Sequence, residues 1–127
     1  MITEGIVAFS NLNEPERFNG TDTGKYSIVI TIPDKDEAKK LSDEGVLLKE
    51  YKNQKQRKFV TKFPQFEVVD VDGESVAKNI PYGSTVRILW QGSKPHPTYG
   101  VSPYFKKIKV LEYADMSGDG ADDEEDF

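Results

Sequence analysis

The chain has 127 residues, with 17 Lys and Arg against 22 Asp and Glu, a formal net charge of −5 and no cysteine. This length holds one domain with a respectable single core, and the missing cysteine excludes disulfides, thiolate metal sites and thiol catalysis while fitting a reducing compartment. Met1 to Gly5 has neither a basic region nor an apolar run, and no stretch approaches the roughly 20 apolar residues that span a bilayer, so the expectation is a soluble, intracellular protein with no membrane partner.

Residues 5–12 (GIVAFSNL) are apolar-rich and bounded by Asn13-Glu14-Pro15, which suits a first strand. A cluster of Gly, Asn and Asp at 19–24 leads into 25–32 (KYSIVITI). There Tyr26, Ile28, Ile30 and Ile32 alternate with Ser27, Val29 and Thr31, the clearest strand in the chain. Pro33 removes a donor and ends it. Asp34 or Asp36 then caps a helix that has acids early, Lys39 and Lys40 later, and Ala38 and Leu41 on its apolar face. Gly45 stops that helix or separates it from a further turn over 46–51.

Residues 49–62 form a basic stretch in which Lys49, Lys52, Lys55, Arg57, Lys58 and Lys62 accompany a single acid, Glu50, with Tyr51, Phe59 and the following Phe63 interleaved. Strands are expected at 57–63 and 66–71. Asp72-Gly73 then signals a hairpin with 74–80 as its return strand. After the turn Pro81-Tyr82-Gly83, residues 84–91 (STVRILWQ) alternate Val86, Ile88 and Trp90 against Arg87, Leu89 and Gln91. A Pro-rich tip at 94–97 joins them to a last strand at 98–113, and this ribbon carries Arg87, Lys94, His96, Lys106, Lys107 and Lys109 with no acid before Glu112. Five or six short strands with one helix between the early ones predict a mainly β, small antiparallel Greek-key barrel. The OB-fold comes first; an SH3-like barrel or a sandwich has the same strand count.

The last 13 residues, 115–127 (DMSGDGADDEEDF), hold seven acids and no base, which leaves 15 acids against all 17 Lys and Arg in the other 114. The charge therefore divides into a body near +2 and a tail of −7. A segment of that composition cannot bury enough surface to offset its ordering entropy, so the expected division is a folded domain at 1–114 and a disordered acidic interaction tail at 115–127. Phe127, beside Asp122, Asp123, Glu124, Glu125 and Asp126, reads as an anchor for a partner's pocket with a basic rim. Asp115, Ser117, Asp119, Asp123 and Asp126 fall at EF-hand spacing with Gly120 at the turn. The last ligand, however, is Asp in place of a bidentate Glu, and Asp122 stands at the usual apolar position, so no metal site is read there.

Catalytic machinery is missing from the pattern. The one His, His96, lies between two prolines without an identifiable partner, and no phosphate loop, H-E-x-x-H or Cys/His cluster occurs. No cofactor is implied. Single-stranded nucleic acid is the partner that the body fits, because a flexible strand needs cations for its phosphates and flat faces for its bases. Candidate phosphate contacts are Lys25, Arg57, Lys58, Lys62, Arg87, Lys94, Lys106 and Lys107; candidate base contacts are Phe59, Trp90, Tyr99, Tyr104 and Phe105. Trp90 shares its strand face with Val86 and Ile88, so it reads equally as core. Two other classes stand beside this one: an adaptor that presents the acidic tail to a basic partner, and an acidic DNA mimic that inhibits a nucleic-acid enzyme. The mimic requires acids spread over a folded surface instead of gathered at the end.

The segments FSNLNEPERFNG and GKYSIVITIPDKD resemble the phage replication single-stranded-DNA-binding proteins, in which an extended K-Y-x-x-x-x-x-I-P-x-x-D strand precedes the helix. Gly83-Ser84 opening the Trp90 strand, the run YGVSPYFKKIKVLEYA and the acidic tail closing on Asp126-Phe127 are similar to the same family, and the likeness covers most of the chain except 48–76. The resemblance implies an OB fold and sequence-tolerant binding of single-stranded DNA during replication and recombination, in the cytoplasm of an infected host cell. It also implies a tail whose terminal aromatic docks on the replicative DNA polymerase and the primase-helicase, and which covers its own DNA groove when no strand is present. A homodimer is left open.

Overall fold

The computed structural model describes residues 1–78 and 80–114. The acidic tail, with Phe127 and the EF-hand-like spacing, lies outside the described residues. In chain order the elements are β1 (Ile2–Asn11), β2 (Arg17–Phe18), β3 (Thr21–Asp22), β4 (Tyr26–Thr31), α1 (Lys35–Asp43), β5 (Lys49–Tyr51), β6 (Gln54–Thr61), β7 (Glu67–Val69), β8 (Thr85–Gly92) and β9 (Pro103–Glu112). No helix among the described residues is long and apolar enough to cross a membrane.

Pairing closes five of these strands into a ring. β1 lies antiparallel between β4 and β8, β4 pairs antiparallel with β6, and β8 with β9. The ring shuts where β6 and β9 meet in parallel at Val60 and Tyr104. Numbered along the chain, the five barrel strands follow one another as 1-2-3-5-4, a Greek-key barrel of the OB type, and the fold is the one expected from the strand count. Short β5 extends the sheet beyond β6, and β7 adds to β9 in parallel.

Alternation along each strand fills the barrel. Ile28 and Ile30 of β4, Phe59 of β6, Val86, Ile88 and Trp90 of β8, and Phe105, Ile108 and Val110 of β9 are all buried in one cluster. Phe59 packs edge-on to Trp90 with ring centroids 6.0 Å apart, and Tyr26, Phe66 and Phe105 form a second edge-to-face series at 5.4 and 5.1 Å. Asp34 caps α1 as expected, accepting from the N–H groups of Asp36 and Glu37, and the helix turns Ala38 and Leu41 to the core.

Three local expectations are corrected. Residues 49–51 form a strand and not a helical turn, because Lys52 and Asn53 adopt φ of 50° and 65° and make a two-residue turn that folds β5 back on β6. The segment 74–80 is not a return strand. The Asp70 carboxylate accepts from the N–H groups of Asp72 and Glu74, which reverses the chain, but pairing stops at a single bridge between Val69 and Ser75. The chain then places Lys78 over the Phe66 ring at 4.1 Å and buries Ile80. The last strand begins at Pro103 and not at 98, since residues 93–102 make a loop tied across its neck by hydrogen bonds between Ser93 and Ser102.

Candidate nucleic-acid interface

Where apolar side chains turn into the barrel, their strand neighbours turn out. On β6, Phe59 faces the core while Lys58 and Val60 stand on the outer surface opposite Val29 and Ser27 of β4. The following Lys62 is exposed, and Tyr104 of β9 meets Val60 where the ring closes. Together with Lys25, Arg57 and Ser102 these residues line a cleft of about 250 Å³. Four cations and one half-exposed tyrosine thus line the same cleft, and no carboxylate is among the lining residues.

The cleft continues in both directions. Arg57 and Lys58 are shared with a second cleft of about 500 Å³ that adds Val29, Leu47, Lys49 and Gln56. Tyr104 is shared with a third, of about 560 Å³, that adds Phe63, Gln91, Gly92 and Lys106. The path crosses β4 and β6, between β5 at one end and β9 at the other, with cations along it and two exposed rings, Tyr104 and Phe63, near the β9 end. Arg57 is fixed at the junction: its Nη1 donates to the Leu47 carbonyl at 3.0 Å and its Nε to the Lys58 carbonyl at 3.1 Å. Burial lowers the pKa of this guanidinium, which stays charged nonetheless.

One carboxylate reaches this surface from the loop between β1 and β4. Glu16 Oε1 lies 2.6 Å from Lys58 Nζ and accepts from Ser27 Oγ at 2.6 Å. Burial pushes the Glu16 carboxyl up, but the hydrogen bonds from Lys58 and Ser27 and the charges of Lys58 and Lys25 outweigh it and hold it below its ordinary value. Among the described residues no group of three or more His, Cys, Asp and Glu side chains is gathered where it could hold a metal ion.

The sequence candidates divide by face. Lys25, Arg57, Lys58, Lys62, Tyr104 and Lys106 lie on the path. Trp90 and Phe59 do not, and Phe105 borders the third cleft without offering it a ring: the three are 3%, 0% and 1% exposed, their rings are packed in the core, and Trp90 Nε1 donates to Thr3 Oγ1 at 2.9 Å. A base cannot reach their faces. Arg87 donates through Nε and Nη2 to Glu4 Oε2 at 2.9 and 2.8 Å on the outer face of β1 and β8, and Lys107 stands in register between Leu89 and Glu67, outside the clefts. Lys94 and Tyr99 belong to the loop between β8 and β9. There Tyr99 is exposed and stacks on His96 at 4.8 Å, while His96 Nδ1 accepts from the N–H groups of Thr98 and Tyr99, an arrangement that shapes the loop tip. Gly100 lets this loop dock: at φ +66° a Cβ would come within 2.5 Å of the Gly45 carbonyl, to which Val101 N–H donates.

Leu47, Lys49, Gln56, Val60, Phe63, Ser102 and Glu16 belong to the surface without having been among the candidates. Strand alternation from Lys58 would have found Val60; Glu16 sits in a loop and carries no such signal.

These features define an OB-fold barrel with a basic, aromatic-bearing cleft on its second and third strands, the face on which barrels of this class bind oligonucleotides. No protein-family model matches the chain, and no curated protein does. Solved structures do match. The gp2.5 protein, a single-stranded DNA binding protein encoded by bacteriophage T7, superposes with a TM-score of 0.64 at 16% identity over 90% of this chain and 92% of its own. The single-stranded DNA-binding protein from bacteriophage Enc34, in complex with ssDNA, gives 0.68 at 14% over 89% and 85%. At these identities the likeness is one of fold, and at that level it meets the resemblance read from the sequence.

Proposed function

We propose that this protein is a non-enzymatic, sequence-tolerant single-stranded-DNA-binding protein of phage replication and recombination. The observation that carries the reading is the central cleft, which Lys25, Arg57, Lys58 and Lys62 line together with the exposed Tyr104. Phosphates pair with these cations and with Lys49 and Lys106 to either side, while bases stack on Tyr104 and Phe63, an arrangement that holds a strand without reading its sequence. Tyr99 and Lys94 extend the contact from the loop tip. The fold shared with two phage proteins whose names state single-stranded DNA binding supports the DNA-binding part of the reading. The tail is proposed to recruit the replicative DNA polymerase and the primase-helicase through Phe127 and the carboxylates at 122–126, and to compete with DNA for the cleft's cations. The site of action is then the cytoplasm of the infected host cell.

Anisotropy of a labelled oligo-dT, titrated at low and moderate salt with the full chain and with a chain ending at Ala114, tests this. Salt-sensitive binding that tightens on truncation is expected. Equal affinity for the two forms removes the competition by the tail and keeps the cleft. No binding by either form refutes DNA binding and leaves the tail-presenting adaptor as the better account.

A further inference from the structure

The loop between β1 and β4 reaches the cleft at Glu16. Glu16 N–H donates to the Lys25 carbonyl at 2.7 Å, and the Glu16 carbonyl accepts from Thr23 N–H at 2.9 Å and from Thr23 Oγ1 at 2.8 Å. With both main-chain groups fixed, only the side chain is free to choose a position, and it lays its carboxylate on Lys58 Nζ and Ser27 Oγ, both at 2.6 Å. An ammonium and a hydroxyl converging on one anionic oxygen is the donor set that a phosphate oxygen takes. Lys58, like Arg57, is common to the central cleft and its neighbour, so its partner stands on the path of a strand.

We propose that Glu16 is a built-in phosphate surrogate: in the free protein its carboxylate fills the anion position at Lys58 and Ser27, a strand enters by displacing it, and its return speeds release. The inference rests on the DNA-binding reading of the same cleft. The fixed backbone makes the competitor intramolecular. The displaced carboxylate remains tethered within reach of Lys58, at an effective concentration that free anions in solution do not approach. A protein that coats DNA and must yield it to other enzymes gains from such a brake. Specificity follows too, since one tethered charge competes poorly with a polyanion that neutralises the neighbouring cations at the same time.

The test uses the full chain and labelled oligo-dT, with wild type, Glu16→Gln, Lys58→Met and the double variant, each checked by its thermal midpoint. Gln keeps the length and the acceptor for Ser27 but not the charge. Glu16→Gln is expected to tighten binding by about three- to tenfold at low salt, chiefly through slower dissociation. The plot of log affinity against log salt should steepen by about 0.7, the share of one added phosphate contact. In the Lys58→Met background the gain should vanish. Should Glu16→Gln melt early, Glu16→Asp, one methylene shorter, gives a smaller tightening by withdrawing the carboxylate from Nζ. Unchanged or weakened binding in Glu16→Gln overturns the proposal, because Glu16 would then merely position Lys58. An equal gain with and without Lys58 overturns it also, as a general charge effect. In those two cases wild-type binding survives and the cleft reading stands; failure of the wild type to bind sinks both.

Discussion

Replacing Lys62 by Ala should flatten the salt dependence of oligonucleotide binding, whereas replacing Arg87 should leave it unchanged. Both are cations in strands expected from sequence, and composition ranks them equally. Lys62 lines the central cleft, while Arg87 is spent on Glu4 at 2.8 Å on the face formed by β1 and β8. Each phosphate neutralised on a single strand contributes about −0.7 to the slope of log affinity against log salt, so the four cations of the central cleft, with the Lys58 contact offset by Glu16, contribute about −2.1 in the wild type. Raising salt from about 50 to about 200 mM then weakens this contribution about 20-fold in the wild type and about 7-fold in Lys62→Ala, where it falls to about −1.4. Anisotropy of labelled oligo-dT across a salt series reads the slope, and urea unfolding of each variant shows that the barrel is intact. Equal slopes for wild type and Lys62→Ala, or an equal reduction in Arg87→Ala, would refute the path across β4 and β6.

Tyr104→Ala should weaken binding by about 1–3 kcal/mol, the value of one base stack, while Tyr104→Phe keeps most of it. Trp90 emission should change little on saturation of the same oligonucleotide, since the indole is 3% exposed; strong quenching would show a base stacked on it. Phe59→Ala should instead act on the fold, lowering stability by about 3–5 kcal/mol as a lower urea midpoint at unchanged slope. Acid should erase the cost of Glu16→Gln. Because the Glu16 carboxyl is held below its ordinary value in the fold, its contribution is fully present above that ordinary, unfolded-state value and is lost as pH falls through the lower folded-state value. The wild-type advantage, at most about 1 kcal/mol for a pair this accessible, should therefore shrink on acidification below that range in a denaturation series; a gap that persists would show that the carboxylate is not held this way.

Elements whose partners are coded locally were legible. The β4 alternation and the Asp34 cap each depend on residues a few positions apart, and both stand where the sequence puts them. The parallel closure of β6 on β9 through Val60 and Tyr104 was not, since a contact between residues 44 positions apart leaves no mark on either strand's pattern. The turn at Lys52 and Asn53 adopts two positive φ values without a glycine, so the usual hairpin signal is missing where a hairpin forms. At Asp72-Gly73 the signal is present without the hairpin. Asx hydrogen bonds from the N–H groups of Asp72 and Glu74 to the Asp70 carboxylate reverse the chain there, whereas β7 spends its pairing on β9.

For the cleft, period two was the constraint that composition could not replace. Lys58 and Phe59, or Tyr104 and Phe105, are adjacent on extended strands, so within each pair one faces the strand path and the other the core. Charge needed a third dimension as well. The described ion pairs Arg87–Glu4, Lys39–Asp43 and Lys40–Glu37 all join cations outside the three basic clefts to acids, the first between residues 83 positions apart. That pairing, more than a net charge near +2, makes the cleft positive: most described acids lie elsewhere, and within it only Glu16 touches a lining cation. A surface so sorted concentrates its field where a strand would lie, and it leaves the affinity sensitive to that one carboxylate.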